Sequence, residues 1–168
     1  MRKVLGIFLG LIVVSIPLSG VYASSGISTM SASLIEKAAP DFTLDTLSKS
    51  AVKMSEYREG KSAIIFFWAT WCPHCRVQLK ELNSRAKELE DNGIKLVIVD
   101  LGEDRESVQS YVKKNNIGMD MFLDIDSSLS DPYRLVGVPT FYLIDAKGMV
   151  KAIQHSFPED YQDLLQRK

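Results

Sequence analysis

The sequence predicts an α/β domain built around a parallel strand-helix-strand unit, and three stretches carry that prediction. Residues 63–68, Ala-Ile-Ile-Phe-Phe-Trp, are an unbroken apolar run, as a strand covered on both faces requires. From Cys75, apolar residues recur at Leu79, Leu82, Ala86 and Leu89, a helical stripe that stops at Asn92-Gly93. Residues 96–99 repeat the buried-strand signature. Such a unit crosses over right-handedly and leaves the start of its helix at the C-terminal edge of the sheet.

The remaining elements follow from local pattern. Phe42-Thr43-Leu44 and residues 51–54 alternate around the polar Ser48-Lys49-Ser50, which predicts a β-hairpin at the domain's edge. Residues 104–115 read as a helix with Val108, Tyr111 and Val112 on one side, and residues 121–123 as a short strand. Residues 140–144 and 149–153 flank the turn Asp145-Ala146-Lys147-Gly148, a second hairpin. Residues 158–166 form a closing helix with Tyr161, Leu164 and Leu165 inward.

Composition narrows the class. The chain has 168 residues, 46% hydrophobic, long enough for one well-buried core and too short for two. Its formal charge is -1, with no basic run beyond pairs such as Lys113-Lys114, so there is no electrostatic footprint for nucleic acid. The N-terminus carries an address. Arg2 and Lys3 precede an apolar run over residues 4–16, Pro17 breaks it, and Val21-Tyr22-Ala23 suits a signal peptidase. Residues 1–23 are therefore a signal peptide or, if uncleaved, an anchor approaching the ~20 residues a bilayer requires. No cysteine precedes Cys72, which excludes a lipid anchor at the cleavage region. Both alternatives place the domain outside the cytoplasm. Residues 24–37 read as a flexible linker, Ser-, Gly- and Thr-rich at first, and residues 38–168 as the folded domain.

The chemistry lies in Cys72-Pro73-His74-Cys75, which follows a buried strand and opens an amphipathic helix. A spacing of three puts both sulfurs on adjacent helical sites, and Pro73 fits a first turn because it has no N–H to leave unpaired. Cys72 meets the unpaired N–H groups of the helix start, which stabilise a thiolate and mark it as nucleophile; Cys75, one turn deeper, is the resolving thiol. His74 can tune the thiolate as a cation or hydrogen-bond donor, or be a solvated loop residue. Other uses of the pair are an inert disulfide, whose four-residue loop restrains little chain, or a metal site such as one for Cu(I).

The segments Ala39-Pro40-Asp41-Phe42, Phe67-Trp68-Ala69-Thr70-Trp71-Cys72-Pro73-His74-Cys75 and Gly137-Val138-Pro139-Thr140-Phe141 together resemble the TlpA/ResA-like branch of the thioredoxin superfamily. The resemblance runs from about Ala38 to the C-terminus. It implies a thioredoxin-like fold: a central mixed β-sheet flanked by helices, with an N-terminal β-hairpin extension and an inserted helical segment around residues 104–123. By the same resemblance Pro139 belongs to a cis-proline loop facing the cysteines, flanked by Val138 and Thr140. Backbone groups beside such a turn are free to pair with an extended substrate. Trp68 reads as core and Trp71 as an exposed apolar docking surface.

Two departures stand out. Gln78 occupies a position where many of these reductants carry glutamate, and Phe66 matches the buried aspartate of thioredoxin itself. A buried carboxylate raises nearby thiol pKa values and relays protons, so lacking both points toward an oxidant, as does the Pro-His dipeptide shared with DsbA-type oxidases. The family's more frequent role is the reverse, keeping apocytochrome c or another extracytoplasmic thiol reduced. The expected activity is thus thiol-disulfide exchange with extracytoplasmic protein thiols or disulfides, in either direction, served by a membrane redox partner. No cofactor is expected beyond the Cys72-Cys75 disulfide, and copper binding by the same thiols is the alternative. Gln78 and His155 read as ordinary surface residues.

Overall fold

In a computed structural model, which describes residues 34–167, a five-stranded mixed sheet organises the chain. The elements are β1 (Thr43–Leu44), β2 (Val52–Lys53), α1 (Met54–Tyr57), β3 (Ser62–Trp68), α2 (Pro73–Asp91) and β4 (Ile94–Leu101). They continue with α3 (Arg105–Lys114), β5 (Phe122–Asp124), β6 (Thr140–Ile144), β7 (Val150–Gln154) and α4 (Tyr161–Gln166). The sheet order is β5-β4-β3-β6-β7, with β3, β4 and β5 parallel and β6 and β7 antiparallel additions; β1 and β2 pair separately as the expected hairpin.

The period-two alternation of strands divides the apolar residues between two layers. Ile64, Phe66 and Trp68 of β3 pack with Cys75, Leu79, Leu82 and Leu89 of α2 and with α4, while Ala63, Ile65 and Phe67 face Phe42, Met54, Tyr133 and Tyr142 on the other side. A central strand covered twice has no polar residue to spare, which explains the unbroken run.

Four local details differ from expectation. Residues 34–37 belong to the domain: Leu34 is buried, the Glu36 N–H donates to the Val150 carbonyl at 2.8 Å, and Lys151 Nζ meets Glu36 Oε1 at 2.6 Å. Their pairing with the β7 edge outweighs the linker composition that precedes them; the expected signal or anchor and residues 24–33 lie outside the described residues. Met54 does not extend a strand but starts α1, its N–H held by the Phe42 carbonyl at 2.9 Å. The closing helix begins at Tyr161, because residues 158–160 form a turn in which the Tyr161 N–H donates to Pro158 O. The second buried strand continues past Val99, carrying Asp100 inside with it.

The segment between β4 and β5 is the expected inserted helix, with Asp104 capping α3 through the Ser107 N–H at 2.8 Å. Among the described residues no helix is long and apolar enough to cross a membrane.

Candidate active site

β3 ends at the C-terminal edge of the sheet, and Cys72 is the N-cap of α2 with Pro73 at the first helical position. The cysteines are joined as a disulfide with Cα atoms 5.2 Å apart. The Cys75 N–H donates to Cys72 Sγ at 3.2 Å, so the helix start directs a backbone donor at that sulfur. Cys75 is wholly buried and Cys72 nearly so. The Val138-Pro139 peptide is cis, and the Val138 carbonyl lies 3.7 Å from Cys72 Sγ. Thr140 Oγ1 donates to the Gly137 carbonyl at 2.7 Å, closing the loop on itself. Proline loop and helix start, 66 residues apart in sequence, thus meet across the sulfur.

Trp71 is 65% exposed, whereas Trp68 is fully buried. Beside the disulfide Trp71 shares a groove with Leu101, Leu135, Val136 and Val138, an apolar wall for a docked chain. On the other flank His74, Val77 and Gln78 of α2 face Pro139 and His155 across a second groove. His74 is exposed, makes no hydrogen bond among the described residues and lines this second groove.

Gln78 is not the solvated residue expected, and His155, at the surface as expected, has partners. His155 remains exposed, but its Nδ1 lies 3.1 Å from the Pro139 carbonyl and 3.3 Å from Thr140 Oγ1, placing it on the back of the proline loop. Gln78 is half-buried and Gln78 Oε1 accepts the Phe157 N–H at 2.5 Å, tying the active-site helix to the segment before α4. The approach of the β7 end to α2 decides both, and no local pattern reports it.

Carboxyl groups do reach this region, from β4 and the loop that follows it. Glu103, in the loop after β4, accepts from the Thr70 N–H and Thr70 Oγ1 at 2.5 Å each, while Arg76 Nε donates to the Thr70 carbonyl at 2.5 Å. Every polar group of Thr70, two residues before Cys72, is therefore held. Asp100 on β4 is wholly buried, and neither of its oxygens has a hydrogen-bond partner among the described residues. Burial, then the nearby Glu103 charge, pushes its pKa up to about 8, so Asp100 carries a proton at neutral pH. The sequence signal was present: Asp100 keeps the inward parity of Ile94 and Ile98, but a strand read as ending at Val99 leaves it in a loop.

Among the described residues no group of three or more His, Cys, Asp or Glu is placed to hold a metal ion. The geometry supports a reversible dithiol-disulfide couple with one sulfur at a helix N-terminus and an apolar groove beside it.

Comparison with known proteins agrees with that chemistry. The sequence model of the AhpC/TSA family matches residues 35–153. The thiol-disulfide oxidoreductase ResA of Bacillus subtilis is 28% identical over 132 residues, covering 76% of this chain and 73% of that protein. The ResA of Geobacillus kaustophilus is 30% identical over 115 residues, covering 68% and 66%. A crystal structure of a thiol:disulfide interchange protein DsbE from Chlorobium tepidum superposes with a TM-score of 0.67 at 27% identity, covering 77% of this chain and 91% of that one. The fold is thioredoxin-like, and the chain is a thiol-disulfide oxidoreductase similar to these ResA and DsbE proteins.

Proposed function

As the chain belongs to the AhpC/TSA family, we propose that it works outside the cytoplasm as a dithiol reductant of protein disulfides. A substrate segment docks on Trp71 and along Val138, Pro139 and Thr140. Cys72 thiolate attacks the substrate disulfide, forming a mixed disulfide and expelling one substrate thiolate. Cys75 then attacks Cys72 Sγ, releases the second substrate thiolate and leaves Cys72-Cys75 oxidised. A membrane redox partner returns the pair to the dithiol, and apocytochrome c is the substrate to test first.

The observation that supports this direction is Glu103. A carboxylate fixed on Thr70 opposes the helix N-terminus, disfavours the Cys72 thiolate and so stabilises the disulfide form. Phe66 and Gln78 supply no charge, but Glu103 in the loop after β4 does, which weighs against the electrostatic argument for an oxidant. Equilibration of the purified domain with thiol-disulfide redox buffers tests the reading. A potential near the ~-270 mV of thioredoxin is expected, and one near the ~-120 mV of DsbA would overturn it and make the protein a disulfide donor.

A further inference from the structure

The second hairpin stops just short of the proline loop. β6 and β7 pair antiparallel as far as Phe141 with Gln154, after which β7 ends, while the other chain continues through Thr140 back to Pro139 and Val138. The Pro139 carbonyl therefore lies beyond the last register pair, at a strand edge whose acceptors must find partners elsewhere. His155, the first residue after β7, supplies one: its Nδ1 stands 3.1 Å from the Pro139 carbonyl and 3.3 Å from Thr140 Oγ1. A side chain has taken over where the backbone ladder gives out.

Counting donors fixes the proton on that ring. A carbonyl oxygen only accepts, and the single hydroxyl proton of Thr140 is given to the Gly137 carbonyl at 2.7 Å, so Thr140 Oγ1 also turns a lone pair toward His155. Both neighbours of Nδ1 are acceptors, and Nδ1 must therefore carry the proton, leaving Nε2 bare in the neutral ring. That is the minor tautomer of a free histidine side chain. The proline loop is thus held from three directions: by the pairing of Thr140 with Phe67 of β3, by its own bond from Thr140 to Gly137, and from behind by His155. The remaining side presents Val138, whose carbonyl lies 3.7 Å from Cys72 Sγ.

We propose that His155 is a positioning residue for protein substrates: donating from Nδ1–H to the Pro139 carbonyl and the Thr140 hydroxyl, it holds the proline loop where Val138 can pair with a docked segment beside Cys72. This rests on the docking of substrate along Val138, Pro139 and Thr140 put forward above, and holds in either direction of exchange. His155 has no hydrogen bond to either sulfur among the described residues, so it acts through the loop and not on the reacting atoms. A loop already held costs less to order when a substrate chain binds. The benefit falls on binding and is shared by ground state and transition state, so it appears in KM, with kcat left nearly as it was.

The test joins a tautomer measurement to kinetics. The chain has two histidines, so His155→Asn removes one imidazole from the nitrogen NMR spectrum and thereby assigns it. In the wild type above ~pH 8, where an ordinary imidazole is neutral, Nδ1 of His155 should show the shift of a protonated nitrogen and Nε2 that of a bare one. His155→Phe keeps a ring and loses the donor. It should raise KM for a protein disulfide about 3- to 10-fold with kcat nearly unchanged, the range that the net worth of one hydrogen bond covers. A small-molecule disulfide, which needs the sulfurs but no chain beside Val138, should be turned over as before. His155→Asn, whose amide N–H can stand where Nδ1–H stood, should restore KM to within about twofold. A proton on Nε2, a His155→Phe protein as good as wild type, His155→Asn no better than His155→Phe, or equal losses on both substrates each overturns the proposal. Trp71→Ala separates this reading from the docking it rests on: if that variant also spares the protein substrate, docking on this face fails, whereas a selective loss there with none in His155→Phe removes only the role of His155.

Discussion

Replacing Asp100 by asparagine keeps the side chain's size and removes its proton, and the consequence for stability can be worked from burial. An unfolded aspartate titrates near ~3.9, whereas Asp100 in the fold titrates at about 8. Between those values the folded protein holds a proton that the unfolded chain has released. Stability therefore falls as pH rises from about 4 to about 8 and levels off above, the sign opposite to that of an ion-paired carboxylate. Fully expressed, the difference is on the order of 5 kcal/mol, and relaxation around the ionised group should leave about 3–5 kcal/mol. The asparagine variant has no such term. Urea denaturation of the disulfide form at intervals from pH 4 to 9 measures both proteins, and their difference cancels Asp41, Glu88 and Asp104, whose lowered pKa values act at the acid end. The wild type should lose stability relative to Asp100→Asn across that window. Parallel curves would refute the claim that Asp100 is a neutral buried acid.

Trp71→Ala should leave folding unchanged, since the ring is largely exposed, yet lower kcat/KM about 10-fold for a protein disulfide and little for a small-molecule disulfide. Equal losses on both substrates would exclude a docking role. Leu79→Ala removes a fully buried side chain beneath the cysteines and should cost about 2–5 kcal/mol by urea denaturation. Gln78→Leu strands the Phe157 N–H, so destabilisation of about 1–3 kcal/mol and faster amide exchange through α4 are expected. Arg85 lies over the Phe157 ring at 4.6 Å and meets Glu159 at 2.7 Å; Arg85→Ala should cost about 1 kcal/mol, most of it retained in high salt if the ring contact dominates.

The sequence by itself determined the strand-helix-strand unit, the placing of Cys72 and Cys75 at a helix start, and the burial of Trp68. Each is set by neighbours a few residues apart: an apolar run, a stripe at helical spacing, a proline that fits a first turn. The Val138-Pro139 loop was legible only through resemblance, because a proline pattern does not say what it faces. Tertiary structure alone decided which polar groups attend the disulfide. Glu103 reaches Thr70 across 33 residues, Gln78 reaches Phe157 across 79, and His155 reaches Pro139 across 16, contacts made when distant segments converge on one edge of the sheet. Asp100 lies between these cases. Its inward parity was written in the alternation of β4, but its proton was not, because the affinity of a carboxyl for a proton depends on the water that folding removes and the charges it brings near.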